Sequence, residues 1–544
     1  MDAPFAVVPI FVNAGAAVLP AILGALASTL TLLLRPRELL RACRRRPLAA
    51  SAVLSGVIVA AIACSLLCAR SQATGGGESD EGPARPDWAK VALEILRRRE
   101  AGAQADTSDS FPRASFGNTS TVFRRDYSRS GYDGGPVPLA LKLLWEDRPE
   151  DTMFLSSPAM AAGKDGPRIF AAGCQFDATG KYGSVVCLEA SKGKRVWETN
   201  TADAAGQQSL KPFFSSPAIT ADGKCLVIGQ GLHDDADCDL LCLEAATGKI
   251  RWRRPTPLHV ESSPAICGDM AVAGAGAIEG PDRKPLGDPG FVLAVRISDG
   301  AELWRFRVAD PESSPAIGED GTVYIGSGFN GSAVVALRSE SDERLRAAGL
   351  DRLLWRTPAR YAMTGAVTLA GDCLLAGGGN ADYAYSSPDP AGVVLALERR
   401  TGHIRWEREM DDAVLAPIAV SRQPGPTGKT LAFCPVRSGE VVALDIGDGR
   451  VVWRQRISGK AAVLAGCAVA YPVVYAVSRD GYLAVLRARD GKLLEKHFLN
   501  QEGKPGQLGL SISSPLLAAG RLFVGSETGG LKCFVGSRWA GAAD

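Results

Sequence analysis

Between residues 230 and 239 the sequence reads Gln-Gly-Leu-His-Asp-Asp-Ala-Asp-Cys-Asp, which sets Asp234, Asp235, Asp237 and Asp239 beside His233. Closely spaced carboxylates are the hard donors that Ca2+ takes. The loop lacks the EF-hand pattern, so a solvated turn is expected. A second segment, GGGNADYAYSSPDPAG at 377–392, combines Asn380, Asp382, Tyr383 and Tyr385. Aromatic side chains on a loop suit recognition of a partner; the alternative is a purely structural loop. A third, 276–290, contains Pro281, Pro285 and Pro289 and reads as a stiff surface lid. The remaining chemistry is sparse. His233, His259, His403 and His497 fall in different parts of the chain, so no shared metal site is expected, and no catalytic residue is assigned. Thirteen cysteines form no zinc pattern, and neither a GxxxxGK[ST] phosphate loop nor a hydrolase serine elbow is present.

All three loops interrupt a repeat. Ser-Ser-Pro-Ala, a β-rich run ending near Gly, a second run ending in Leu, a polar turn with Gly and a Trp recur from residue 156 onward. One copy begins at Ser313 and closes around Trp355. Others begin at Ser156, Ser215, Ser262 and Ser513, with worn versions near Thr364, Ala416 and Leu464. Trp145, Trp197, Trp252, Trp304, Trp355, Trp406 and Trp453 are spaced by about 50 residues, the period of a four-stranded propeller blade. Each is expected to pack against the neighbouring blade. Cys187, Cys242 and Cys533 occupy equivalent positions and read as small buried strand residues.

The count follows from closure. The final unit lacks a fourth strand after Cys533, whereas residues 140–147 form an orphan fourth strand carrying Trp145. The early strand should complete the last blade, giving an all-β, eight-bladed propeller of four-stranded antiparallel blades over 121–538. The seventh unit shows Leu494 where a Trp is expected.

The turns at 244–252 (EAATGKIRW) and 398–406 (ERRTGHIRW) resemble the repeat of the pyrroloquinoline-quinone-like propellers. Phe123-Arg124-Arg125-Asp126, followed by Arg129-Ser130-Gly131, is similar to the segment that opens them. That family includes quinone-dependent dehydrogenases and BamB-type propellers, which bind partners in outer-membrane protein assembly. The alcohol-oxidising branch implies adjacent cysteines and a Glu–Asn–Asp set for Ca2+ and base; this chain has no Cys-Cys pair, and the second set cannot be matched.

Ahead of the repeats lie two uncharged apolar stretches, 5–34 and 48–69, each long enough to span a bilayer. The basic segment between them carries Arg35, Arg37, Arg41, Arg44, Arg45 and Arg46, which by the positive-inside tendency stays cytoplasmic. The expectation is a two-helix anchor in the inner membrane over 1–70, with the propeller on the periplasmic side. Residues 71–120 read as a linker with a short helix bearing the stripe Trp88, Val91, Ala92, Ile95 and Leu96. The net charge of +2 gives no support for nucleic-acid binding. The first functional reading is a non-catalytic scaffold binding a periplasmic protein partner through the long-loop face, with no cofactor. The second is a quinone-dependent oxidoreductase with Ca2+, and the third a small-molecule or peptide sensor.

Overall fold

The chain divides into two compact units, Met1–Asp109 and Ser110–Asp544. The computed structural model describes residues 129–132, 136–177, 180–200, 209–280, 283–383, 385–421, 428–459, 461–503, 506 and 508–539. The expected membrane helices, linker and short helix lie outside the described residues, among which no helix is long and apolar enough to cross a membrane.

The described residues form eight antiparallel sheets, numbered here in chain order. Blade 4 shows the plan: Ala316–Ile317, Val323–Ser327, Ala333–Leu337 and Leu353–Pro358 run from the innermost strand outward. Strands two and three are fully buried because each sheet is covered on both faces, which is why they read as unbroken apolar runs. The outer strand alternates, as a half-exposed strand must. Blade 1 carries an extra short strand, Thr152–Met153. In blade 4 a helix, Asp342–Ala348, is inserted between the third and fourth strands and capped by Ser341 and Gly349.

The tryptophans stitch blade to blade. Each indole N–H donates to a carbonyl at the third-to-fourth-strand turn of the next blade: Trp145 to Ala190, Trp197 to Ala245, Trp252 to Ile297, Trp304 to Ser339, Trp355 to Arg399, Trp406 to Ile446 and Trp453 to Ala488, at 2.7–3.1 Å. The turn glycine must lie flat on the ring. Gly449 has φ +69°, and a Cβ there would fall 2.6 Å from Trp406. Within its own sheet the Trp stands opposite a small residue of strand three. That residue is Cys533, Cys187 or Cys242 in three blades and Ala294, Ala336, Ala396 or Ala443 in the others. All three cysteines are buried, as expected.

The ring closes as the repeat count requires. Pro138–Asp147 pairs antiparallel with Leu531–Trp539 and is the outer strand of blade 8. At the seam between blades 7 and 8 the Trp position is occupied by Glu495, not by Leu494. A bulge shifts the register between Val485 and Leu486, as it does beside each Trp, and this places Glu495 opposite Val485. Blade 8 has no covalent third-to-fourth turn, and so offers no turn carbonyl for an indole. The Glu495 carboxylate instead accepts the N–H groups of Ala140 (2.6 Å) and Leu141 (2.9 Å) on the closing strand. The buried Tyr475 hydroxyl donates to the Pro138 carbonyl beside them.

The repeated serines form a belt around the channel. The first serine of most pairs reaches the neighbouring blade: Ser215 donates to the Ser262 carbonyl, Ser262 to Ser313 and Ser313 to Gly365, whereas Ser156 donates within its own blade to Ala172. The hydroxyl of the second accepts an N–H from the preceding blade: Ser216 from Ser157, Ser263 from Ser216 and Ser314 from Ser263. Ser513 and Ser514 join the belt to blade 1. Just beneath it Arg129, fully buried, donates to the carbonyls of Ser314, Pro315 and Val367. Ser130 and Gly131 accept the N–H groups of Val469 and Leu517, so this segment lies across the channel.

Candidate functional site at the channel mouth

The first strand of a blade starts where the second ends, so the residues ahead of the serine pairs and the loops between strands two and three share one mouth. One residue per blade rings it, immediately before the serine pair or its equivalent: Leu155, Phe214, Glu261, Glu312, Thr364, Leu415, Leu464 and Ile512. They line a cavity of about 60 Å3. Six are apolar or neutral, and the two carboxylates sit on adjacent blades. The fifth repeat thus begins its serine-equivalent pair at Gly365, one residue beyond Thr364.

All three long loops converge on the acidic side. His233 Nδ1 lies 2.6 Å from Glu312 Oε1, and the fully buried His259 brings Nε2 to 3.7 Å from the same oxygen. The two imidazoles are 5.3 Å apart between centroids. The structure therefore corrects the expectation that the histidines stay separate: His233 and His259 meet, although His403 lies in a strand-three-to-four turn and His497 beside Glu495. Gly276 permits the approach, since a Cβ there would fall 2.5 Å from His259 Cε1 and 2.8 Å from Glu312 Cγ.

Electrostatics at the mouth follow from crowding. The hydrogen bond from Glu312 pushes His233 up to about 10 against the pull of desolvation. Burial pushes Glu312 up, but His233 outweighs it and leaves the carboxyl below its ordinary range. Burial raises Glu261 and Asp310 well above theirs, with the Glu312 charge adding to both. Desolvation lowers the buried His259.

The second and third loops are braced together. Arg283 pairs with Glu279 of its own loop and Asp382 of the next, and its guanidinium lies over Phe329 (4.5 Å) and Tyr385 (4.9 Å). Tyr383 spans the mouth rather than facing water. Its ring meets Phe214 edge-on at 4.8 Å and its hydroxyl donates to the Leu415 carbonyl at 3.3 Å. Tyr385 is the exposed aromatic, and Leu286 on the second loop is 72% exposed. Asn380 holds its own loop through Ala391 N–H and the Asp389 carbonyl. In the first loop Asp234 faces Lys181 at the surface, Asp235 caps the Leu232 N–H, and Asp239 binds Arg253 and Gln230. Each of these three aspartates serves a different partner, in keeping with a turn.

The cavity does not suit the quinone implied by the dehydrogenase branch. Sites for ligands of that size have roughly 300–1,000 Å3, several times the 60 Å3 here.

With fold and mouth defined, this is a propeller of the pyrroloquinoline-quinone-like class. The chain belongs to the family whose model is described as outer membrane protein assembly factor BamB, matched over residues 142–408 and 390–538. A curated relative, the outer membrane protein assembly factor BamB of Yersinia pestis, is 20% identical over 380 residues, covering 66% of this chain and 82% of that protein. Among solved structures, Sqt1 from Chaetomium thermophilum is similar with TM-score 0.51 and 13% identity, covering 74% of this chain and all of that one. BamB from Moraxella catarrhalis gives TM-score 0.49 and 15% identity over the same shares.

Proposed function

We propose that this chain is a protein-binding scaffold of the bacterial envelope, serving outer-membrane protein assembly and tethered to the inner membrane by helices at 5–34 and 48–69 with the propeller in the periplasm. Membership of the BamB family supports the scaffold reading. The observation that carries the docking face is the convergence of all three long loops on one mouth, where Arg283 ties two of them into a single surface presenting Tyr385 and Leu286. Exposed aromatic and aliphatic anchors on a braced frame suit a protein partner, and hold their shape without a cofactor.

The test is cross-linking of the full chain in cells. Tyr385→Ala combined with Leu286→Ser should abolish the cross-linked partner while the protein stays folded. Undiminished cross-linking would move the docking face elsewhere. Removing residues 1–70 should shift the protein from the membrane fraction to the soluble fraction; continued sedimentation with membranes would reject the anchor.

A further inference from the structure

We propose that His233, His259 and Glu312 bind one divalent first-row metal ion at the channel mouth, within the frame of loops that carries the docking face. The three come from separate stretches of chain: the loop in blade 2, the link between blades 2 and 3, and the link between blades 3 and 4. Their ligand atoms all lie within 4.8 Å of one another. A tetrahedral ion bound at 2.0–2.1 Å holds its donors roughly 3.3 Å apart. The observed separations of 2.6 and 3.7 Å from Glu312 Oε1 straddle that value.

Donor chemistry supports the same reading. Two imidazoles and one carboxylate form a set that zinc and its neighbours take, with a further position left for water. His259 is fully buried, and its Nδ1 has no hydrogen-bond partner, while Nε2 lies 3.3 Å from the Ala277 carbonyl. Nε2 is the nitrogen that faces Glu312, so a bound ion would replace its contact with the Ala277 carbonyl. Charge points the same way: Glu261 lines the cavity beside Glu312, and Asp310 is fully buried nearby. A dication would offset this concentration of carboxylates. Glu312 borders the 60 Å3 cavity, which has room for the waters that complete the coordination shell.

The experiment uses the purified full chain in mild detergent, stripped with a chelator. Zn2+ uptake is measured by competition with a chromophoric chelator, and Co2+ uptake by visible absorption. One equivalent of each should bind, and the cobalt spectrum should show ligand-field bands of a nitrogen and oxygen site without thiolate charge transfer. His233→Ala and Glu312→Gln should each weaken uptake by roughly 100-fold. His233 is 36% exposed, so its loss spares the packing, and circular dichroism confirms that the blades persist. Absence of stoichiometric uptake, uptake unchanged in both variants, or a cobalt spectrum dominated by thiolate bands would each overturn the site.

Discussion

Seven seams between blades are closed by an indole and one by a carboxylate, and the two kinds of seam solve different problems. Six Trp seams join blades that follow one another in the chain, and the seventh, at Trp145, joins the closing strand to blade 1, which directly follows that strand. Each buries a large ring, against a turn glycine everywhere but at Trp304, and uses one N–H to satisfy one turn carbonyl. The seam between blades 7 and 8 must capture a strand from some 350 residues earlier in the sequence, with no covalent turn to hold it. Glu495 supplies two charge-assisted hydrogen bonds to that strand's backbone, at a point where Ala140 has φ +50° and the ladder is irregular. Area seals the ordinary seams, whereas directional bonding fixes the register of the last.

The comparison breaks most severely at a Trp. Trp304 is 2% exposed, with the Arg352 guanidinium over its ring at 4.4 Å. Trp304→Ala should cost about 3–5 kcal/mol, read as a lower urea midpoint. A loss below about 1 kcal/mol would show that the ring does not depend on its aromatic seams. Next comes the turn glycine. Gly449→Ala forces a side chain into the left-handed region and onto Trp406, and should cost about 2 kcal/mol in the same assay.

The carboxylate seam should be weaker but sensitive to pH. Glu495→Gln keeps an acceptor and loses the charge, for about 1 kcal/mol. Burial pushes the Glu495 carboxyl up, but the Leu141 and Ala140 N–H groups and His497 outweigh it, so it lies below the ordinary carboxylate range. Its contribution is therefore present above the unfolded value of about 4.3 and disappears as pH falls through the lower folded value. Other carboxylates titrate there too, so the measurement is the difference between wild type and Glu495→Gln. That difference should shrink from pH 6 toward pH 3; a constant gap would mean that Glu495 acts by shape alone.

The contrast also explains what could be read from the sequence. The Trp and turn-glycine period is visible because most blades repeat it, and the orphan strand at 140–147 is visible because the last unit lacks one. Glu495 was legible by spacing: Trp197, Trp252, Trp304, Trp406 and Trp453 each stand four residues after a turn glycine, and four residues after Gly491 is Glu495, one beyond Leu494. The mouth was partly legible: Glu261 and Glu312 stand directly before Ser-Ser-Pro-Ala, where other repeats carry Leu155, Phe214 or Ile512. That departure from the repeat was the available signal. The meeting of His233 with Glu312 was not legible, since it depends on the path of a loop that no periodicity constrains. Ser341-Asp342-Glu343 ahead of Gly349 announces the inserted helix through capping chemistry.

The finest test of the distinction lies opposite the indole. Cys187 faces Trp197 across the sheet, at the position where four other blades use alanine. If the ring demands only a small neighbour, the sulfur is incidental, and Cys187→Ala should change stability by less than about 1 kcal/mol. Cys187→Leu adds volume beneath the ring and should cost about 1–3 kcal/mol. Where the indole is missing the demand lifts: Val485 fills the equivalent place opposite Glu495. If Cys187→Leu were as mild as Cys187→Ala in thermal melts, the small residue would not be a partner of the Trp, and Val485 would no longer mark the closing seam as different in kind.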